Sequence, residues 1–175
     1  MIYAAVAGAG ARVFCKELYL VLGKICEVAC VEDTALSATG DNPNILLWQS
    51  AGSAKINVPG SVLIVSDGSA GLMGLRVDDD CVVVADSADE AAAAFAAARG
   101  LRLLDCGLSS KASLTFSSIG MGASVISLQR AIFDIYGNKV EPFDMPLDIE
   151  GVPYYPVLAA VGILLLSGKS DKIWI

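Results

Sequence analysis

Short apolar runs alternate with segments of helical spacing along most of the chain. "MIYAAVAG" is a nearly all-apolar run closed by Gly8, which predicts a short buried strand. "ARVFCKELYLVLGK" then places Val13, Leu18, Val21 and Leu22 close to helical spacing, which predicts an amphipathic helix. Four strands are expected next, at "ICEVACVE", "NPNILLWQSA", "GSVLIVSDGS" and "DDCVVVADS". The third of these begins through Pro59-Gly60 and leaves through a Gly/Ser turn. "ADEAAAAFAAARG" is the clearest helix. Ser87 or Asp86 can cap it, Asp89 and Glu90 fall in its first turn, Arg99 in its last, and Gly100 terminates it. "LRLLDCG" follows as a sixth strand.

From Lys111 the pattern changes. "ASLTFSSI", "SVISLQRAIFDIYG" and "NKVEPFDMPLDI" are alternating runs broken by Gly120, Gly122 and "YGNK", as in an antiparallel β-meander. Tyr154 to Leu166 closes the chain as a helix, with Pro153 or Pro156 at its start and Gly168 just past its end. Apolar strands interleaved with helices imply an α/β fold of three layers, its mainly parallel sheet covered on both faces. There is no internal repeat and no linker long enough to separate two domains, so residues 1–175 read as one domain. The last helix, at 13 residues, spans about 20 Å against the roughly 30 Å of a bilayer core. It is therefore expected to be buried, or to form a subunit contact, and not to cross a membrane.

Composition narrows the partners. Hydrophobic residues make up 55% of the chain and charged residues 18%, as in a packed globular protein. A net charge of −7, with no cluster of Lys and Arg to offset it, argues against nucleic acid and anionic membranes. The five cysteines sit in apolar runs, which suits reduced thiols in a cytoplasmic protein. The first residues do not have the basic region, long apolar core and cleavage site of a secretory leader, so secretion is not expected. Cys26 and Cys30 could share a metal, but no second pair and no histidine completes the ligand set.

The chemistry of the chain is concentrated in "VAGAGARVFCKEL". A dinucleotide fingerprint needs a third glycine where Val13 stands, and a phosphate-binding Walker loop needs glycine, lysine and hydroxyl where Ala11, Arg12 and Val13 stand. Backbone features of an anion site survive at a helix N-terminus, so Gly8, Ala9, Gly10, Ala11 and Arg12 are the candidate nucleotide- or anion-binding residues. The competing reading is a tight strand-to-helix turn that uses small residues for packing. Ser109, Ser110 and Lys111, after a strand, form a second candidate anion-binding turn. Cys106 as a nucleophile lacks an activating base, and Asp78 to Asp80 read better as a solvated turn than as a metal patch. Arg130 is read as a surface residue and Trp174 as a packing anchor, on this subunit or another.

In order, these motifs resemble the central, ATP-binding domain of the Mur ligase family, together with folylpolyglutamate synthase and cyanophycin synthetase. The family loop V-T-G-T-N-G-K-T-T and the following T-x-x-L lie on Val6 to Leu18, with matches at Val6, Gly8 and Leu18. "CVVVADSADEAAAAFAAARGLRLLDCGLSSKASLTFSSI" is similar to the family's strand, helix and strand up to its "TFG" turn. "VPYYPVLAAVGILLLSG" is similar to its "HNxxNALAAIAxAxxLG" helix, with Tyr154 at the histidine position.

The resemblance implies P-loop NTPase or Rossmann-like topology, a bacterial protein, and ATP with Mg²⁺ as ligands. The departures fall on the chemistry. This chain has no histidine, Val13 replaces the loop hydroxyl, and Gln49 in "LLWQSAG" stands near an expected glutamate. The two flanking substrate domains of the family are not found on it either. The expectation is a non-catalytic, pseudoenzyme-like domain that holds a nucleotide, another anion or a protein partner, with self-association through apolar surfaces as one form of partnership. The alternative is an ATP-dependent ligase-type enzyme or subunit of cell-wall precursor metabolism, with Arg12 replacing the lysine and Asp67 holding Mg²⁺. A third reading is a small-molecule binder that uses the strand-end cleft around Gly107 to Lys111.

Overall fold

A computed structural model of the chain describes residues 1–32, 35–50, 54–67, 72–119, 124–147 and 151–169. The first half runs β1 (Ile2–Ala7), α1 (Ala11–Gly23), β2 (Val28–Glu32), β3 (Ala35–Ala38), β4 (Ile45–Gln49), β5 (Lys55–Ile56) and β6 (Val62–Val65). A 3-10 turn at Leu72–Gly74 leads to β7 (Arg76–Val77), β8 (Val82–Asp86), α2 (Glu90–Ala98) and β9 (Arg102–Gly107). The remainder is β10 (Leu114–Ile119), β11 (Ser124–Leu128), β12 (Ile132–Phe133), β13 (Lys139–Val140), β14 (Phe143–Leu147) and α3 (Tyr154–Leu166). Trp174 lies outside the described residues.

Ten strands form one sheet in the order β14-β11-β10-β9-β8-β6-β1-β4-β2-β3. From β10 to β2 all neighbours are parallel, and antiparallel pairs occur only at the two margins. Alternate side chains of each parallel strand enter different cores, because successive residues point to opposite faces. Ala4, Val6, Val62, Ile64, Val82 and Val84 pack beneath α1 and α3, whereas Ala5, Leu63, Val65, Val83 and Ala85 pack on the face of α2. The fold is thus a three-layer α/β sandwich, as the alternation implies.

Helix α1 buries Ala11, Phe14, Cys15, Leu18, Val21 and Leu22, one stripe at spacings of three and four. Val13 falls off that stripe and is 64% exposed. Helix α3 has no polar face: every residue from Tyr155 to Leu166 is buried between the sheet and α1. Among the described residues no helix is long and apolar enough to cross a membrane.

Several boundaries differ from the sequence expectation. The second strand starts at Val28, because Ile25 and Cys26 continue the α1 terminus by donating to the Leu22 carbonyl. The residue that caps α2 is Asp89, whose carboxylate accepts from the N–H groups of Ala91 and Ala92. Asp86 binds the N–H of Ala88 one turn earlier, and Ser87 takes no part in the cap. The expected meander is interrupted. Its middle run divides into β11 and β12, and β12 pairs with β13 in a separate ribbon while β11 pairs with β14.

Candidate functional site

Parallel strands end along one edge, so the segments that follow β1, β4, β6, β8 and β9 share a single rim of the sheet. The β1–α1 connection on that rim has three residues, Gly8, Ala9 and Gly10. Gly8 has φ +122°, a left-handed conformation that glycine adopts without strain. A Cβ there would lie 2.7 Å from Ser66 Oγ and 2.8 Å from the Asp67 carbonyl oxygen. The turn is therefore pressed against the segment that leaves β6.

Hydrogen bonds hold the two segments together. Ser66 donates its N–H (2.8 Å) and its hydroxyl (3.0 Å) to the Ala7 carbonyl, and Ala9 N–H donates to the Asp67 carbonyl at 3.2 Å. Ala11 N–H donates to the Gly8 carbonyl at 3.3 Å. Two of the backbone donors that an anion would use at this turn are thus directed to the protein itself. Arg12 and Val13 stand exposed on the first turn of α1. Gln49 ends β4 in register with Val6, beside the same turn.

Ser109, Ser110 and Lys111 lie on the same rim but past β9. Three strand spacings separate β9 from β1 in the sheet order, about 14 Å. The two candidate anion turns are not one site. The second is also closed on itself: Lys111 N–H donates to Ser109 Oγ at 3.2 Å, Ala112 N–H to the Ser109 carbonyl at 2.9 Å, and Arg130 to the Lys111 carbonyl.

Between the two turns lies a cleft of ≈ 350 Å³ at the ends of β6 and β8, with Asp67, Asp86, Asp89 and Glu90 in its lining and, among the described residues, no lysine or arginine. Asp86 accepts from the Tyr154 hydroxyl at 2.9 Å, and this hydrogen bond pushes the Tyr154 phenol up from its ordinary range. Tyr155 forms the floor. Its hydroxyl donates to the carbonyls of Val65 (2.6 Å) and Val84 (3.3 Å), its ring meets Phe14 at 4.9 Å, and burial holds the phenol well above its ordinary value.

Cys106 is fully buried, and desolvation raises its thiol far above the ordinary range. A thiol that stays protonated and closed to solvent is no nucleophile. Among the described residues no group of three or more His, Cys, Asp or Glu side chains could hold a metal ion. Asp67 is the site residue for which sequence reasoning had no firm place. Its signal was its position two residues beyond a buried strand, but only strand order puts β6 beside β1. A larger cleft, ≈ 490 Å³, lies elsewhere, between the outer side of α1 and the start of α3, and is lined largely by apolar groups including Tyr19, Leu20 and Val152.

No protein-family model and no curated protein sequence matches the chain. Solved structures do. A UDP-N-acetylmuramoyl-L-alanyl-D-glutamate–2,6-diaminopimelate ligase matches with a TM-score of 0.57 at 9% identity, over 98% of this chain and 45% of the other. The MurF ligase from Thermotoga maritima, in complex with ADP, matches at 0.56 and 11% identity, over 99% and 47%. A bifunctional folylpolyglutamate synthase/dihydrofolate synthase from Yersinia pestis, complexed with AMPPNP and Mn ion, matches at 0.56 and 10%, over 95% and 53%. The chain spans about half the length of these enzymes. At such identities the likeness concerns architecture alone, and the architecture is that of the Mur ligase central domain.

Proposed function

We propose that this chain is a non-catalytic domain on the Mur ligase central frame, in which the nucleotide turn persists as a packing element and the working surface is one for association. The carrying observation is the closed state of the Gly8–Gly10 turn. Its Ala9 N–H is taken by the Asp67 carbonyl, and among the described residues the cleft beside it presents carboxylates without a cation. Phosphoryl transfer depends on fixed positive charge and a metal ion that neutralise the transferring group. A triphosphate in this cleft would face Asp67, Asp86, Asp89 and Glu90 instead. A divalent cation beside it fits poorly as well. Val13 offers no oxygen, Gln49 brings no charge, and Asp86 and Asp89 already accept hydrogen bonds from backbone N–H groups. The apolar groove along α1, with Leu20 66% exposed, supports association with a protein partner.

One observation favours a second reading, a ligase-type enzyme. Asp67 lies just past the strand next to β1, with its Cβ 3.7 Å from where a Cβ on Gly10 would stand, so a carboxylate does border the turn. Thermal denaturation with Mg–ATP separates the two. A ligand at a hundred times its dissociation constant stabilises by about 2.7 kcal/mol, so specific binding would raise the melting temperature by several degrees. The expected result is no shift at millimolar Mg–ATP. A Mg²⁺-dependent rise that Asp67→Asn and Arg12→Ala both remove would establish the enzyme reading instead.

A further inference from the structure

Away from the rim, two thiols meet in the core beneath α1. Cys15 lies one turn into α1 and Cys30 in the middle of β2, and their sulfurs are 3.5 Å apart. Both are almost closed to solvent, at 0% and 4% exposure. We propose that Cys15 and Cys30 are a disulfide-forming pair, which a small-molecule disulfide such as oxidised glutathione converts into a cross-link between α1 and β2.

The geometry needs little change. A disulfide has its sulfurs about 2.05 Å apart, so closure requires an approach of roughly 1.5 Å, within reach of side-chain rotation. The other cysteines are poorly placed to compete. Cys81 belongs to the opposite core, on the α2 face. Cys106 is on β9, five strands from β2 and therefore about 24 Å away across the sheet. Cys26 precedes β2 and is half-exposed, but it is not the sulfur that Cys15 meets.

The exchange balances in two steps. A thiolate of the pair attacks one sulfur of the reagent, whose S–S bond breaks; one glutathione leaves in reduced form and a mixed disulfide remains. The second thiolate then attacks the protein sulfur of that mixed disulfide and displaces the second glutathione. The two cysteines lose two protons and two electrons, and the reagent takes up both. The reagent reaches the pair from the margin of the sheet, because among the described strands β3, all four of whose residues are exposed, is the one that flanks β2 on that side. Displacement of β3 is a local opening of small extent. Burial keeps both thiols protonated near neutral pH, so the reaction is slow there and accelerates as pH rises. The product fastens the helix whose first turn carries Arg12, and so fixes the turn at Gly8 more firmly to the sheet.

The test treats the full-length protein with oxidised glutathione at pH 8 without denaturant, then blocks free thiols and maps peptides under non-reducing conditions. The expected result is a Cys15–Cys30 linked peptide, an intact mass lower by two hydrogens, a raised melting temperature, and reversal by dithiothreitol. Cys15→Ser and Cys30→Ser should each abolish the link, while Cys26→Ser and Cys106→Ser retain it. Thiol counting on the unsubstituted protein gives the same answer if a variant fails to fold. A link that forms only after denaturation, a link through Cys26, or a stable glutathione adduct with no cross-link would each overturn the proposal.

Discussion

Gly8 carries more of the local architecture than any other side of the β1–α1 turn. Its positive φ is disfavoured for residues with a Cβ, and the space a Cβ would need is filled by the backbone of Asp67, with its carbonyl oxygen at 2.8 Å and its nitrogen at 3.0 Å. Backbone cannot step aside as a flexible side chain can. Gly8→Ala is therefore expected to lower stability by about 2–4 kcal/mol, combining dihedral strain with displacement of the β6 exit. A urea titration monitored by circular dichroism measures it, and a loss below about 1 kcal/mol would mean that the turn is held less tightly than its contacts indicate. Asp89 is comparable in kind. It is a single carboxylate that satisfies two of the four unpaired N–H groups at the start of α2, and Glu90 behind it adds a favourable charge.

Helix α3 holds the molecule together as an element. It is apolar all round, and it contacts α1, β8, β9 and β10, so it joins the parallel sheet to the antiparallel margin. Gly162 lets it come close to β9: a Cβ there would lie 3.0 Å from Leu104 Cδ2. Leu164, with no exposed surface, is surrounded by this packing. Leu164→Ala should destabilise by about 2–5 kcal/mol, through lost transfer energy and a cavity that rigid neighbours cannot fill. Chemical denaturation would show it as an earlier midpoint at an unchanged slope. A loss under about 1 kcal/mol would mean that the helix packs loosely. Helix α1 is the more ordinary case, with one buried stripe and one solvent face.

For the whole molecule, the two cores on either side of the sheet have a common titration behaviour. Burial raises the thiols of Cys15 and Cys30 on the α1 side, Cys106 beside α3, and Cys81 on the α2 side. In the unfolded chain these thiols ionise near pH 8.5. Below that value both states keep the protons and stability does not depend on these groups. Above it the unfolded chain releases protons that the folded chain still holds, so stability falls as pH rises. Cys15 and Cys106, both at 0% exposure, should each contribute a loss of up to about 1.4 kcal/mol per pH unit. Denaturation under reducing conditions at pH 8 and pH 10 measures the loss, and Cys106→Ala should make it shallower. Equal stability at both values would contradict this account.

Much of this was legible in the linear chain, because the apolar runs and the helical stripe are local consequences of side-chain period. The parallel core strands, α2 with Gly100 behind it at φ +65°, and the fully buried α3 follow from such patterns. The short strands β3, β5, β7 and β13 do not, since two to four residues carry no period: β3 and β13 exist by closing hairpins on β2 and β12, and β5 and β7 by pairing with each other across a long connection. Val13 and Phe14 show the limit within a helix: the stripe was legible, but its phase depended on which side the sheet lay. The candidate site divides in the same way. Residue types at Gly8 to Arg12 raised the expectation of a phosphate loop without its lysine and hydroxyl. Only strand order placed Asp67 against that turn, kept Ser109 to Lys111 three strands away, and brought Cys15 to Cys30. Sequence carries what neighbours along the chain decide; contacts between remote segments depend on the order in which the sheet is assembled.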